Sequence, residues 1–126
     1  MKKIILDTNF LLIPVQMKVD IFSEFRRIME QKYELCVLES SIEELKKLQK
    51  AKKTKAAAAV ALHLIKAKDI KVLPSAGGYA DDSLLEYAGK EQFIVATQDK
   101  ELMKRLKDKD VPVITLRQKK YLVFRP

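Results

Sequence analysis

The sequence predicts an α/β fold, with a central, mainly parallel sheet of about five strands between two layers of helix. Short apolar runs alternate with segments of helical period, from Ile4-Ile5-Leu6 at the start to Tyr121-Leu122-Val123-Phe124 near the end. The first run is unbroken, as suits a strand buried on both faces of a parallel sheet. It stops abruptly at Asp7-Thr8-Asn9, and in open parallel sheets chemistry collects beyond the carboxyl ends of the strands. Strands that alternate with helices imply right-handed crossovers and helices on both sheet faces.

Each element follows from local pattern. After the first strand, Pro14 is expected to close a short helical turn. Asp20 to Met29 places Phe22, Phe25 and Met29 at helical spacing, with Ile21 and Ile28 beside them. Glu34 to Leu38 reads as the second strand. Ser40-Ser41 then opens a helix with Ile42, Leu45 and Leu48 facing inward. Lysine dominates from Lys46 to Lys55, and the Ala-rich stretch Ala56 to Ile65 is a strong helix former. Its small side chains permit close helix approach, within the fold or across a homodimer. Ile70 to Leu73 forms a third strand, closed by Pro74-Ser75-Ala76-Gly77-Gly78. Asp81 or Asp82 starts the next helix, with Leu84, Leu85 and Ala88 apolar. Phe93 to Thr97, Asp99 to Leu106 and Pro112 to Leu116 follow as strand, helix and strand, and Tyr121 to Phe124 is a candidate edge strand. Without a linker or repeat, residues 1–126 are expected to form a single domain.

Hydrophobic residues make up 48% and charged residues 33% of the 126, which excludes a disordered chain. Lys and Arg number 25 against 17 Asp and Glu, so the net charge is +8. That balance suits a polyanionic partner such as nucleic acid, although a generically basic surface has the same composition. The single cysteine, Cys36, lies in the apolar run Leu35-Cys36-Val37-Leu38 and reads as a core residue in a reducing compartment. Met1-Lys2-Lys3 before the first apolar run superficially resembles a signal peptide, but Asp7 and Asn9 interrupt it. No apolar run approaches membrane-spanning length. A cytoplasmic protein with no membrane partner is expected.

Acidic residues recur where elements meet: Asp7, Glu44, Asp81 with Asp82, and Asp99. Each has a local explanation. Asp7 is a turn residue, Glu44 stands three after Ser41 as in a capping box, and Asp81 and Asp99 suit helix N-caps. Two adjacent acids are nevertheless more than a cap requires. Carboxylates folded into one pocket repel and resist desolvation unless a cation neutralises them. All-oxygen ligands select Mg2+ or Mn2+ over zinc, and such ions activate water at a phosphoryl centre. An acidic hole in a basic surface points to a metal-dependent nuclease.

The segments Asp7-Thr8-Asn9, Glu44, Tyr79-Ala80-Asp81-Asp82-Ser83-Leu84 and Val95-Ala96-Thr97-Gln98-Asp99 resemble the PIN-domain ribonuclease family over almost the whole chain. The resemblance implies a three-layer Rossmann-like domain and a Mg2+- or Mn2+-dependent endoribonuclease. Asp7, Glu44, Asp81 and Asp99 would be its catalytic and metal-binding quartet. Thr8, Asn9, Asp82 and Thr97 would support them. Asp81 is preferred to Asp82 as the ligand because Leu84 and Ala88 follow it at the family's spacing. The acidic segments and the tail from Val111 resemble the small-subunit processome branch, which implies precursor ribosomal RNA as substrate and ribosome-assembly factors as partners. VapC-type toxins, the other branch, imply an antitoxin. A non-catalytic RNA-binding assembly factor is a third reading.

Lys46, Lys50, Lys53 and Lys55 are candidate RNA contacts, and Tyr79 could stack on a base. A solvated lysine face and ordinary loop packing account for them equally well. His63, the sole histidine, reads as a surface or packing residue. Other phosphate chemistries fit less well. Haloacid-dehalogenase enzymes need a second Asp where Asn9 stands, receiver domains need an Asp where Pro74-Ser75 stands, and nucleotide-binding Gly-rich loops are absent from the sequence.

Overall fold

Ile4, Ile5 and Leu6 have no solvent-exposed surface, because their strand lies in the interior of the sheet with helices over both faces. The structure, a computed structural model, describes residues 1–75, 80–90 and 92–126, with the side chains of residues 80–82 excepted. Its sheet has six strands in the order β3-β2-β1-β4-β5-β6. Five are parallel: β1 (Lys2–Leu6), β2 (Tyr33–Leu38), β3 (Lys71–Leu73), β4 (Phe93–Ala96) and β5 (Val113–Arg117). The sixth, β6 (Tyr121–Arg125), pairs antiparallel with β5 at one edge. The expected five-stranded parallel sheet is thus present, with the tail added to it. Successive strands run outward from β1 to β3, then return to the other side of β1 at β4. That reversal is where α/β sheets open a crevice.

Strand periodicity divides the core in two. Ile4 and Leu6 belong to one apolar cluster with Phe10, Phe25 and Ala58, whereas Ile5 belongs to another with Leu84, Leu102 and Leu106. Each large side chain so buried contributes roughly 1.5–3 kcal/mol. Over the first face lie α1 (Ile13–Gln16), α2 (Ile21–Ile28), α3 (Glu39–Leu48) and α4 (Lys55–Ala67). Over the second lie α5 (Ala80–Ala88) and α6 (Lys100–Asp108). In α4, Ala57, Ala58 and Ala61 are buried, so its small residues serve packing within the fold, while Val60 and His63 face solvent.

Two local expectations are corrected. Pro14 opens α1 from its first turn, directly after a 3-10 turn over Phe10–Leu12, instead of closing a turn. This suits a residue whose fixed φ favours the start of a helix. Ser40-Ser41 do not begin α3 either, since it starts at Glu39 with Leu38 at the N-cap, and Ser41 is buried inside it. The amide of Ser40 donates to Ser75 Oγ at 3.0 Å. The capping hydroxyl comes from the loop after β3.

The outer strand β6 is covered by α2. Leu122 donates its amide to Glu24 Oε1 at 2.9 Å and accepts from Arg27 Nη2 at 2.8 Å. The Arg27 guanidinium, with help from that amide, holds the Glu24 carboxyl below its ordinary range. The β5–β6 hairpin turns through Gln118 and Lys119, whose φ values of 53° and 55° are both left-handed. Among the described residues, no helix is long and apolar enough to cross a membrane.

Candidate active site at the ends of β1 and β4

β1 ends where its chemistry begins. The Asp7 amide still pairs with the Ala96 carbonyl of β4 at 3.0 Å, which fixes the two strand ends side by side. Asp7 Oδ1 accepts from its neighbour's amide, Thr8 N, at 2.7 Å. Asp7 Oδ2 accepts from Thr97 Oγ1 at 2.9 Å, across the strand ends. Thr97 is fully buried, and its amide is anchored to the Ile114 carbonyl of β5 at 3.0 Å. The same hydroxyl accepts from the Asp99 amide at 3.1 Å. One threonine thus ties Asp7 to the start of α6.

On the other side of β1, buried Thr8 directs its hydroxyl toward Glu44 Oε2 at 3.5 Å, a long contact. Glu44 itself is exposed on α3, the helix that follows β2. Asp99 is also exposed and is the N-cap of α6, with Oδ1 accepting from Glu101 and Leu102 amides at 2.9 and 3.2 Å. Asn9 precedes the 3-10 turn, exposed, and makes no side-chain cap bond to it. Hydroxyls and backbone amides thus organise carboxylates at one end of the sheet. The carboxylates of Asp7, Glu44 and Asp99 offer oxygen ligands, which match the preference of a hard divalent ion. Asp7, Glu44 and Asp99 alone do not complete a metal cage, because no group of three His, Cys, Asp or Glu able to hold an ion occurs among the described residues.

Comparison with known proteins decides the family. The family described as "PIN like domain" matches residues 4–119 of this chain. The chain belongs to the PIN-domain family. It is 41% identical to Ribonuclease VapC4 of Methanocaldococcus jannaschii over 124 residues, covering 96% of this chain and 95% of that one. It is 29% identical to rRNA-processing protein fcf1 of Schizosaccharomyces pombe over 126 residues, covering 97% of this chain but 62% of that longer protein. The structure of the PIN domain endonuclease Utp24 superposes with a TM-score of 0.81 at 26% identity, covering 97% of this chain and 90% of that one. Both branches of the family therefore match across nearly the whole of this chain, which spans about three-fifths of fcf1.

Within this PIN domain, Asp7, Thr8, Glu44, Thr97 and Asp99 lie in one linked set of contacts. The side chains of Asp81 and Asp82, in the first turn of α5, lie outside the described residues, as does Tyr79. Lys46, Lys50, Lys53 and Lys55 are all exposed around the α3–α4 connection, with Lys46 4.0 Å from Glu43. Sequence reading missed Ser75, which braces the helix carrying Glu44 through Ser40. Its partner lies 35 residues away, so no local spacing announces it.

Proposed function

We propose that this PIN domain, residues 1–126 acting as a single domain, is a Mg2+- or Mn2+-dependent endoribonuclease. The supporting observation is the hydrogen-bond chain from Asp99 through Thr97 to Asp7, with Thr8 reaching Glu44 from the adjoining position. Asp7, Glu44, Asp81 and Asp99 would hold the ion, with Asp99 using the oxygen not committed to its helix cap. When bound, the ion neutralises these carboxylates, lowers the pKa of water and stabilises charge on a phosphoryl oxygen.

The chain's own groups prepare that arrangement. Thr97 and the Thr8 amide orient the Asp7 carboxylate. Thr8 aims Glu44, which orients the attacking water and takes its proton. Water oxygen bonds to phosphorus, the bond from phosphorus to the 3′-oxygen breaks, and the departing oxygen takes a proton from solvent, so that the products carry a 5′-phosphate and a 3′-hydroxyl. Asn9 and Asp82 flank the same strand end and the α5 start as supporting polar groups. Lys46, Lys50, Lys53, Lys55 and Tyr79 would contact the RNA beyond the scissile bond.

The matches to fcf1 and Utp24 support precursor ribosomal RNA as substrate, with assembly factors as partners. The 41% identity to VapC4 supports a second reading, a toxin ribonuclease held by an antitoxin. Asp7→Asn is expected to abolish Mn2+-dependent RNA cleavage without unfolding the protein. Mn2+ should raise the melting temperature of the parent protein by mass action and leave that of Asp7→Asn unmoved. Metal-dependent cleavage retained in the variant would refute the assignment. RNA binding by the parent without cleavage, in Mn2+ and in chelator alike, would make it a non-catalytic binding factor. Co-purification of a pre-ribosomal particle or of a small antitoxin separates the two substrate readings.

A further inference from the structure

A groove of about 850 Å3 runs between α6 and the β5–β6 hairpin, on the sheet face away from α2 and α4. Lys100, Lys104 and Lys107 line it from one face of α6, and Arg125 lines it from the end of β6. Their spacing sets the three lysines along roughly 10 Å of helix axis. Against these four cations, Asp110 is the one acidic side chain among the described residues lining the groove. Its apolar lining includes Met103, Val111 and Val113, which belong to or pack on the core cluster of that face. Gln98 also lines it, between Thr97, which binds Asp7, and the α6 cap Asp99.

We infer that this groove is the track for the single-stranded RNA flanking the scissile phosphate. Charge complementarity selects a polyanion, and evenly spaced cations beside an apolar lining suit a backbone with bases turned inward. Continuity selects nucleic acid over an acidic peptide, because a strand with one phosphate at Asp7 leaves the site past Gln98 and meets a lysine at each turn of α6. The role in cleavage rests on the endoribonuclease reading, whereas binding in the groove does not.

The test uses the Asp7→Asn protein, so that RNA survives, and the fluorescence anisotropy of a labelled unstructured oligoribonucleotide. Lys100→Gln, Lys104→Gln and Lys107→Gln are combined in one variant. Lys2→Gln, Lys32→Gln and Lys66→Gln, near the amino ends of β1, β2 and β3, remove equal charge outside the groove. The groove variant is expected to lose tenfold or more in affinity and to flatten the log–log salt slope by about 2, three contacts at about 0.7 each. The control should lose less than about threefold, being a change in net field alone. Equal losses in both variants, or an unchanged slope, would overturn the inference. So would lysine-dependent capture of a Glu-rich peptide with no RNA binding. Lys104→Glu alone repeats the measurement should the triple variant not fold. Groove-dependent binding by a parent protein that cuts no RNA would leave the track standing and remove the endoribonuclease reading instead.

Discussion

At the residue scale, Thr97 has the most concentrated role, since one buried hydroxyl donates to Asp7 and accepts from the Asp99 amide. Thr97→Val keeps the shape and removes both bonds. It is expected to cost about 1–3 kcal/mol of stability, the range for a charge-assisted bond and a stranded amide. Cleavage should fall with it. Thr97→Ser should restore most of both, as urea denaturation and an RNA cleavage assay would show. Asp99 separates two tasks that coincide in one side chain. Asp99→Asn preserves the cap on α6 and should leave stability nearly unchanged, whereas Asp99→Ala should cost about 1 kcal/mol. If the charge serves the reaction, both variants lose cleavage equally. An asparagine variant as active as the parent would reduce Asp99 to a cap.

At the element scale, the β5–β6 turn is the clearest place to gain stability. Left-handed backbone costs an ordinary side chain roughly 1–2 kcal/mol, and Gln118 and Lys119 both bear that strain. Replacing the pair with Asn-Gly should raise the thermal midpoint by the equivalent of about 1 kcal/mol. Unchanged melting would mean the strain is relieved elsewhere. The existence of the elements was legible because buried strands such as Ile4-Ile5-Leu6 and amphipathic helices such as Ile21–Ile28 carry their period in the residues. Their termini were less so. Ser41 and Glu44 have the spacing of a capping box, yet β2 passes into α3 without a loop and the cap role moves to Ser75. A partner so remote in sequence leaves no trace in a local window. Pro14 was misread for a related reason, because a proline between two helical turns can end one and begin the next.

At the scale of the whole molecule, the sheet order explains why Asp7, Glu44 and Asp99 gather at one end. The elements bearing them follow strands that all point the same way. That much was legible from acids placed after apolar runs. Which hydroxyl bonds which carboxylate was not, since it depends on strand register. Nor was the groove, although lysines at 100, 104 and 107 share one helix face, because its other wall is the hairpin. Cys36 reports on the integrity of the same framework. Burial, reinforced by Glu34, pushes its thiol up to about 11 from an ordinary 9.0. Folding favours the protonated thiol, so its contribution is complete below pH 9.0 and is lost as pH rises through about 11. Alkylation near neutral pH should therefore track global unfolding and quicken with urea in step with the loss of structure. Rapid labelling of the native protein would contradict a closed sheet.

The Glu24–Arg27 pair on Leu122 has a consequence for how copies of this protein meet. A neighbour seeking to prolong the sheet at that border would first have to evict an ion pair from the very groups it needs. Strand addition is hindered at that position, as at protected sheet edges generally.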